Sequence, residues 1–205
     1  TGLGSKIALL IDTAAGGSLV LALVFTMFTS IILGMGLPTT AAYLILATVV
    51  APALVKLGIP ALTAHFFVFY YGCISTITPP VALASYVAGG IAGADINKVG
   101  WTAASYAVTS FVLPFAFCFG PGLLLQGDTL QNVTAVMTGF AGIAAIAVAV
   151  IGCMFTPLSW PLRIAAGIAG FCLLFQGWTT AVIGILVFAA LFLYQRTAKV
   201  AQPSL

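Results

Sequence analysis

The chain has 205 residues, 62% of them hydrophobic and only 4% charged, with six Lys or Arg against three acidic residues, all Asp. A soluble domain carries about a quarter charged residues, so this scarcity, with a mean hydropathy of +1.25, excludes a water-soluble globule and a disordered chain. The thinly spread cations exclude a nucleic-acid-binding surface, and long unbroken apolar runs exclude an outer-membrane barrel, whose ~10-residue strands alternate. An all-α polytopic membrane protein remains, because helices satisfy their own backbone in lipid.

The opening stretch to Gly17 carries Lys6 and Asp12 and reads as the tail of an amphipathic lead-in. Beginning at Thr1, the chain is expected to be a piece of a longer polypeptide. Apolar segments at 18–33 and 41–55 are each short for a span, and the tip between them is Gly34-Met35-Gly36-Leu37-Pro38-Thr39-Thr40. Glycine loosens a backbone and proline removes a donor. The pattern predicts a re-entrant hairpin over 18–55, two part-depth helices entering and leaving on one face. An aromatic-rich helix follows at 61–77, then Thr78-Pro79-Pro80, then an apolar piece at 81–94. Together these predict one discontinuous span over 61–94, broken in mid-membrane. A helix at 101–125 is expected to kink at Pro114. After a polar turn at 126–132, spans at roughly 133–154, 161–176 and 178–195 complete the chain, with the middle one short against the ~20 residues a bilayer needs. The reading divides the chain at 125/126, with three additional helices in 126–205.

Lys and Arg in short loops set orientation. Arg196 and Lys199 put the C-terminus inside. The Arg163 loop and the Asp95–Lys98 loop then also fall inside, the Asp128 loop falls outside, and the hairpin base at Lys56 is outside. Trp101, Trp160 and Trp178 sit near predicted span ends as interface anchors. Gly89 and Gly93 form a small-xxx-small face suited to close helix contact. The four cysteines read as small apolar core residues. His65 is expected as a buried histidine bonded to a neighbouring helix, with a titrating or ligand role as the alternative. Asn132-Val133-Thr134 matches a glycosylation sequon, a pattern frequent by chance.

Three Asp and one His make no convincing acid–base pair or metal cluster, so an enzyme is not expected. Neutral oxygen is what the chain offers. Thr39 and Thr40 at the tip, and Ser75, Thr76 and Thr78 at the break, carry hydroxyls. Bends at Gly34 and Gly36 expose carbonyls. Pro79 and Pro80 lack N–H groups, which predicts unpaired carbonyls at Ser75 and Thr76. A hard cation such as sodium suits these ligands, while half-helix N-termini near Ala41 and Val81 favour an anionic group. Two ordinary proline kinks are the bland alternative, but paired broken helices mark the binding sites of secondary transporters.

Several stretches resemble one family. They are Gly34 to Tyr43, then Pro52-Ala53-Leu54-Val55, then Ala64-His65-Phe66-Phe67-Val68-Phe69-Tyr70, then Ser75-Thr76-Ile77-Thr78-Pro79-Pro80-Val81-Ala82-Leu83-Ala84. The family is the tripartite ATP-independent periplasmic (TRAP) transporters, in the fused-permease branch that joins small and large membrane subunits. The likeness covers roughly residues 1–125 and fits the C-terminal half of the large subunit. It implies an inner-membrane secondary transporter driven by sodium, importing a small organic acid that a periplasmic binding protein of the TAXI class delivers. It implies a moving elevator domain in which Gly34, Gly36, Pro38, Thr39 and Thr40 form the outer hairpin tip. Ser75, Thr76, Thr78, Pro79 and Pro80 would form the broken-helix junction beside ion and substrate. The matching inner repeat would lie in the rest of the same polypeptide. Many relatives of the dicarboxylate type have Gly after Thr-Pro-Pro-Val, where this chain has Ala82. The alternative reading is a channel, or the membrane subunit of an ATP-powered transporter.

Overall fold

A computed structural model describes residues 2–175 and 177–201. It is helical throughout, and among the described residues the only β-type pairing is a one-residue bridge between Cys153 and Pro157. Among the described residues, four helical stretches are long and apolar enough to cross a membrane: Thr39–Lys56, Ile96–Phe119, Thr129–Ile151 and Trp178–Thr197. Leu19–Gly34, Ala61–Ile77 and Trp160–Leu174 are apolar but shorter. The surface is inverted relative to a soluble protein, with Phe28, Ile32, Leu44, Ile91 and Phe140 all more than half exposed. Such an apolar exterior is what a bilayer requires. The chain is an all-α polytopic membrane protein, and it divides into two compact units, residues 1–118 and 119–205.

In the first unit, helix α1 (Leu3–Ala15) leads through two glycines into α2 (Leu19–Gly34). Ser18 starts α2 by accepting a hydrogen bond from the Leu21 N–H at 3.5 Å. After the tip, α3 (Thr39–Val49) begins two residues earlier than the sequence suggested. Pro38 at its N-cap, with φ −58°, explains the early start. Proline's fixed φ is compatible with helix initiation, and its missing N–H costs nothing there. α3 runs almost unbroken into α4 (Ala51–Lys56), with only Val50 between them. The pair is 18 residues long, about 27 Å at helical rise, so this arm is deeper than a half-span. α2 and α3 lie against one another, and α5 (Ala61–Ile74) packs against both. Fully buried Leu23, Leu46, Val50, Leu54, Phe67, Val68 and Tyr71 form the core where these helices meet.

A short 3₁₀ turn, Ser75–Ile77, ends α5, and the helix resumes only at α6 (Leu83–Ile91). α7 (Ile96–Tyr106) turns back against α6, its first turn held by Asp95, which accepts from the Asn97 and Lys98 N–H groups at 2.9 and 3.1 Å. α8 (Val108–Phe119) follows directly. The chain makes a turn at Ala107 between α7 and α8, and Pro114 lies buried inside α8. Tyr71 on α5 donates to the Phe111 carbonyl on α8 at 2.6 Å, and edge contacts among Phe67, Tyr71 and Phe115 fill the same seam. The expected Gly89/Gly93 face is half correct. Gly89 is buried, and a Cβ there would stand 3.2 Å from the Ile96 Cα. Gly93 instead has φ +64° and open space around it, so it serves the turn.

The second unit begins with a 3₁₀ turn, Pro121–Leu124, and then stacks α9 (Thr129–Ile151), α10 (Trp160–Leu174) and α11 (Trp178–Ala201). α10 packs against both α9 and α11. The approach is glycine-mediated: a Cβ on Gly142 would meet the Gly170 carbonyl at 2.9 Å, and one on Gly184 would meet the Ala169 carbonyl at 3.0 Å. Small residues let backbones close in where lipid provides no hydrophobic drive. At the α9–α10 turn, Arg163 donates to the carbonyls of Ala149 and Val150 at 2.9 and 2.7 Å and lies over Trp160.

Candidate functional site

The hairpin tip and the helix break meet within the first unit. Gly34 is the buried last residue of α2, and a Cβ built on it would lie 2.6 Å from the Ser75 Oγ and 3.4 Å from the Gly72 Cα. Only glycine permits this approach. Two residues further, Gly36 adopts φ +74°, and its Cβ position falls 3.6 Å from the Val81 Cγ1. The tip thus lies along the break from Ser75 to Val81. Pro38, Thr39 and Thr40 stay at the head of α3, with both threonines exposed.

At the break, the three hydroxyls share one arrangement. Ser75 Oγ donates to the Gly72 carbonyl, Thr76 Oγ1 to the Cys73 carbonyl and Thr78 Oγ1 to the Ile74 carbonyl, each at 2.7 Å. A hydroxyl that donates its hydrogen to a carbonyl keeps lone pairs for a further partner. Ser75 is wholly buried; Thr76, Thr78 and Pro79 are partly exposed, and Pro80 is exposed. One expectation is corrected here. The Ser75 carbonyl is not unpaired, because the chain tightens into a 3₁₀ turn and the Thr78 N–H reaches it at 3.4 Å. The Thr78 carbonyl in turn accepts from the Ala82 N–H at 3.1 Å. Tightening of the last turn is a common way for a helix end to satisfy its carbonyls.

Ala82 heads α6 at φ +33°, in the left-handed region, with its side chain fully buried. The backbone at this position is therefore one that favours glycine. α7 backs this turn: a Cβ on Gly100 would come 3.6 Å from both Ala82 Cβ and Pro79 Cγ, and 2.9 Å from the Tyr86 ring. Tyr86 donates to the Pro80 carbonyl at 2.9 Å. Sequence reasoning passed over Gly72 and Gly100, since one glycine among 22 carries no local mark of a close approach. It also missed the partner of His65, whose Nδ1 lies 3.1 Å from the Tyr43 hydroxyl and ties the second arm of the hairpin to α5. That bond fits the packing role expected for His65. Along α2, Thr26 and Ser30 are fully buried, and neither hydroxyl has a hydrogen-bond partner among the described residues.

A helical hairpin whose glycine tip presses on a helix break, in an all-helical membrane chain, is compatible with the discontinuous helices of secondary transporters. Residues 1–131 match the family of the tripartite ATP-independent periplasmic transporter, DctM component. The chain belongs to that family and is a membrane component of a TRAP transporter. Membership implies association with a periplasmic binding protein and a small membrane component. No curated protein and no solved structure gives a significant match.

Proposed function

We propose that this chain carries the outer half of the transport site of a sodium-coupled permease. The permease imports a small organic acid delivered by a periplasmic binding protein of the TAXI class. The observation that carries the proposal is the contact of Gly34 with Ser75, beside three hydroxyls whose hydrogens are already committed. Oxygen ligands without carboxylates suit sodium better than a proton relay, which needs titrating groups. Sodium, bound as a co-substrate by Thr76 and Thr78 oxygens and tip carbonyls, draws the 34–40 segment onto the break. The N-termini of α3 and α6 favour the anionic group of the organic acid. The inner repeat, elsewhere in the same polypeptide, completes the site. The loaded hairpin and broken helix then move as an elevator against a scaffold. The protein sits in the prokaryotic inner membrane with its C-terminus in the cytoplasm, residues 1–125 forming part of the transport region and 126–205 three added helices.

The test is uptake by the full-length permease with its binding protein in proteoliposomes, with and without a sodium gradient. Uptake that collapses without sodium, and a Thr78→Ala variant whose sodium dependence moves to higher concentration, are the expected results. Uptake indifferent to sodium removes the coupling, and flux that needs ATP or runs without the binding protein favours a pump subunit or a channel. An unchanged sodium dependence in Thr78→Ala removes that residue from the site.

A further inference from the structure

The second unit contains a groove apart from the hairpin tip and helix break. α9 and α11 both pack on α10 and leave a groove between themselves. Its head, about 460 Å³, is lined by Asp128, Gln131, Thr134, Trp178 and Ile185 among others. Its lower part, about 390 Å³, also begins at Ile185 and continues past Phe188 to Phe192 and Leu193. The two hollows share Ile185 and follow one another along α11, the first with polar lining residues and the second almost wholly apolar. On α11 the lining positions recur every three or four residues, which is one face of a helix. From Val182 to Leu193 that face runs about 16 Å at helical rise, which matches one leaflet of a ~30 Å hydrocarbon core.

The mouth is charged in a definite way. Asp128 precedes α9 but caps none of its N–H groups with its side chain. Among the described residues no cation pairs with it. Asn132 fixes the turn that carries it, accepting from the Gly127 N–H at 3.0 Å and donating to the Gly127 carbonyl at 2.9 Å. Those two bonds also give Asn132 a structural role, independent of the sequon pattern. First-turn residues of both α9 and α11 line this end, so two positive helix ends lie beside one carboxylate. Trp178, 77% exposed, stands at the rim where interfacial tryptophans belong.

We propose that this groove is a specific site for a phospholipid with a primary ammonium head group. Its acyl chain lies along Val182 to Leu193, its phosphate rests near the helix N-termini, and its ammonium donates to Asp128. A head group holding both signs matches a mouth holding both signs. A quaternary ammonium is disfavoured because it donates no hydrogen bond, and one exposed tryptophan is no aromatic cage.

The test uses the full-length permease, stripped of lipid in detergent. It is then offered equal amounts of phosphatidylethanolamine, phosphatidylcholine and phosphatidylglycerol of identical chains, and retained lipid is read by native mass spectrometry. Phosphatidylethanolamine should be retained about two- to fivefold over the other two, the range a partly exposed ion pair supports. Asp128→Asn should equalise ethanolamine and choline lipids, and Ile185→Trp should lower retention of all three by obstructing the groove. Asp128→Asn is an exposed change that leaves folding intact, so it tests the idea even where Ile185→Trp does not fold. Equal retention by the wild type, a preference for phosphatidylglycerol, an unchanged preference in Asp128→Asn, or a second protein chain in place of lipid overturns the proposal. No transport measurement enters, so its failure leaves the transport reading untouched.

Discussion

Gly34→Ala tests the meeting of tip and break directly. The new Cβ would stand 2.6 Å from Ser75 Oγ, 3.2 Å from Ser75 Cβ and 3.4 Å from Gly72 Cα. The Oγ can rotate away only by giving up its bond to the Gly72 carbonyl, which is worth about 1 kcal/mol. If it stays, the tip is pushed off the break, an overpacking cost of about 1–3 kcal/mol. The variant should therefore lose about 1–3 kcal/mol of stability, seen as a lower denaturant midpoint for the purified permease. Uptake should fall with it. Ser75→Ala alone loses the buried hydrogen bond, about 1 kcal/mol. The double variant removes the oxygen that the added methyl would strike, leaving only the milder 3.2 Å contact. It should be less destabilised than the sum of the singles by about 1 kcal/mol, the coupling expected of touching residues. Wild-type stability and uptake in Gly34→Ala, or strict additivity across the cycle, would refute the contact.

Two further substitutions probe local geometry. Ala82→Gly relieves a left-handed alanine, about 1–2 kcal/mol, but loses a buried methyl, about 0.8 kcal/mol, and adds unfolded-state freedom of about 0.5–1 kcal/mol. Stability should stay within about 1 kcal/mol of wild type, whereas Ala82→Val, β-branched at φ +33°, should lose about 2 kcal/mol or more; matching denaturant curves would contradict this. Arg163→Met strips the donors from the Ala149 and Val150 carbonyls and should destabilise by about 2–3 kcal/mol. Lysine should rescue only part of that, since a point charge cannot reproduce a planar fork, and full rescue would show that charge alone mattered.

The segments of the first unit were legible because their breakers are local. Two glycines and a proline at 34–38, and two prolines at 79–80, interrupt apolar runs, and no helix continues through them. What the sequence hid was non-local or cooperative. The turn between α7 and α8 falls at Ala107, a residue with no breaking chemistry of its own, seven residues before Pro114. Nothing in the residue type at 107 announces it. The Ser75 carbonyl was expected free because Pro79 has no N–H to offer it, and the local tightening to a 3₁₀ turn supplied the Thr78 N–H instead.

The correction at Ser75 bears on the chemistry proposed for the site. With that carbonyl accepting from Thr78, the oxygens left for a cation are mainly hydroxyls, and their placement becomes the question. Each is held by a hydrogen bond to a carbonyl in the last turn of α5 or next to it. The helix end that lost its regular pairing therefore becomes the scaffold that orients the ligands. A preorganised set of neutral oxygens binds without reorganising and carries no charge to leave behind when empty, so an empty site crossing a membrane avoids the penalty of an uncompensated carboxylate in lipid. The scarcity of Asp and Glu across this unit follows the same logic. Glycine and proline create the ends and serine and threonine line them, and under the proposed coupling the only mobile charge would be the sodium ion itself.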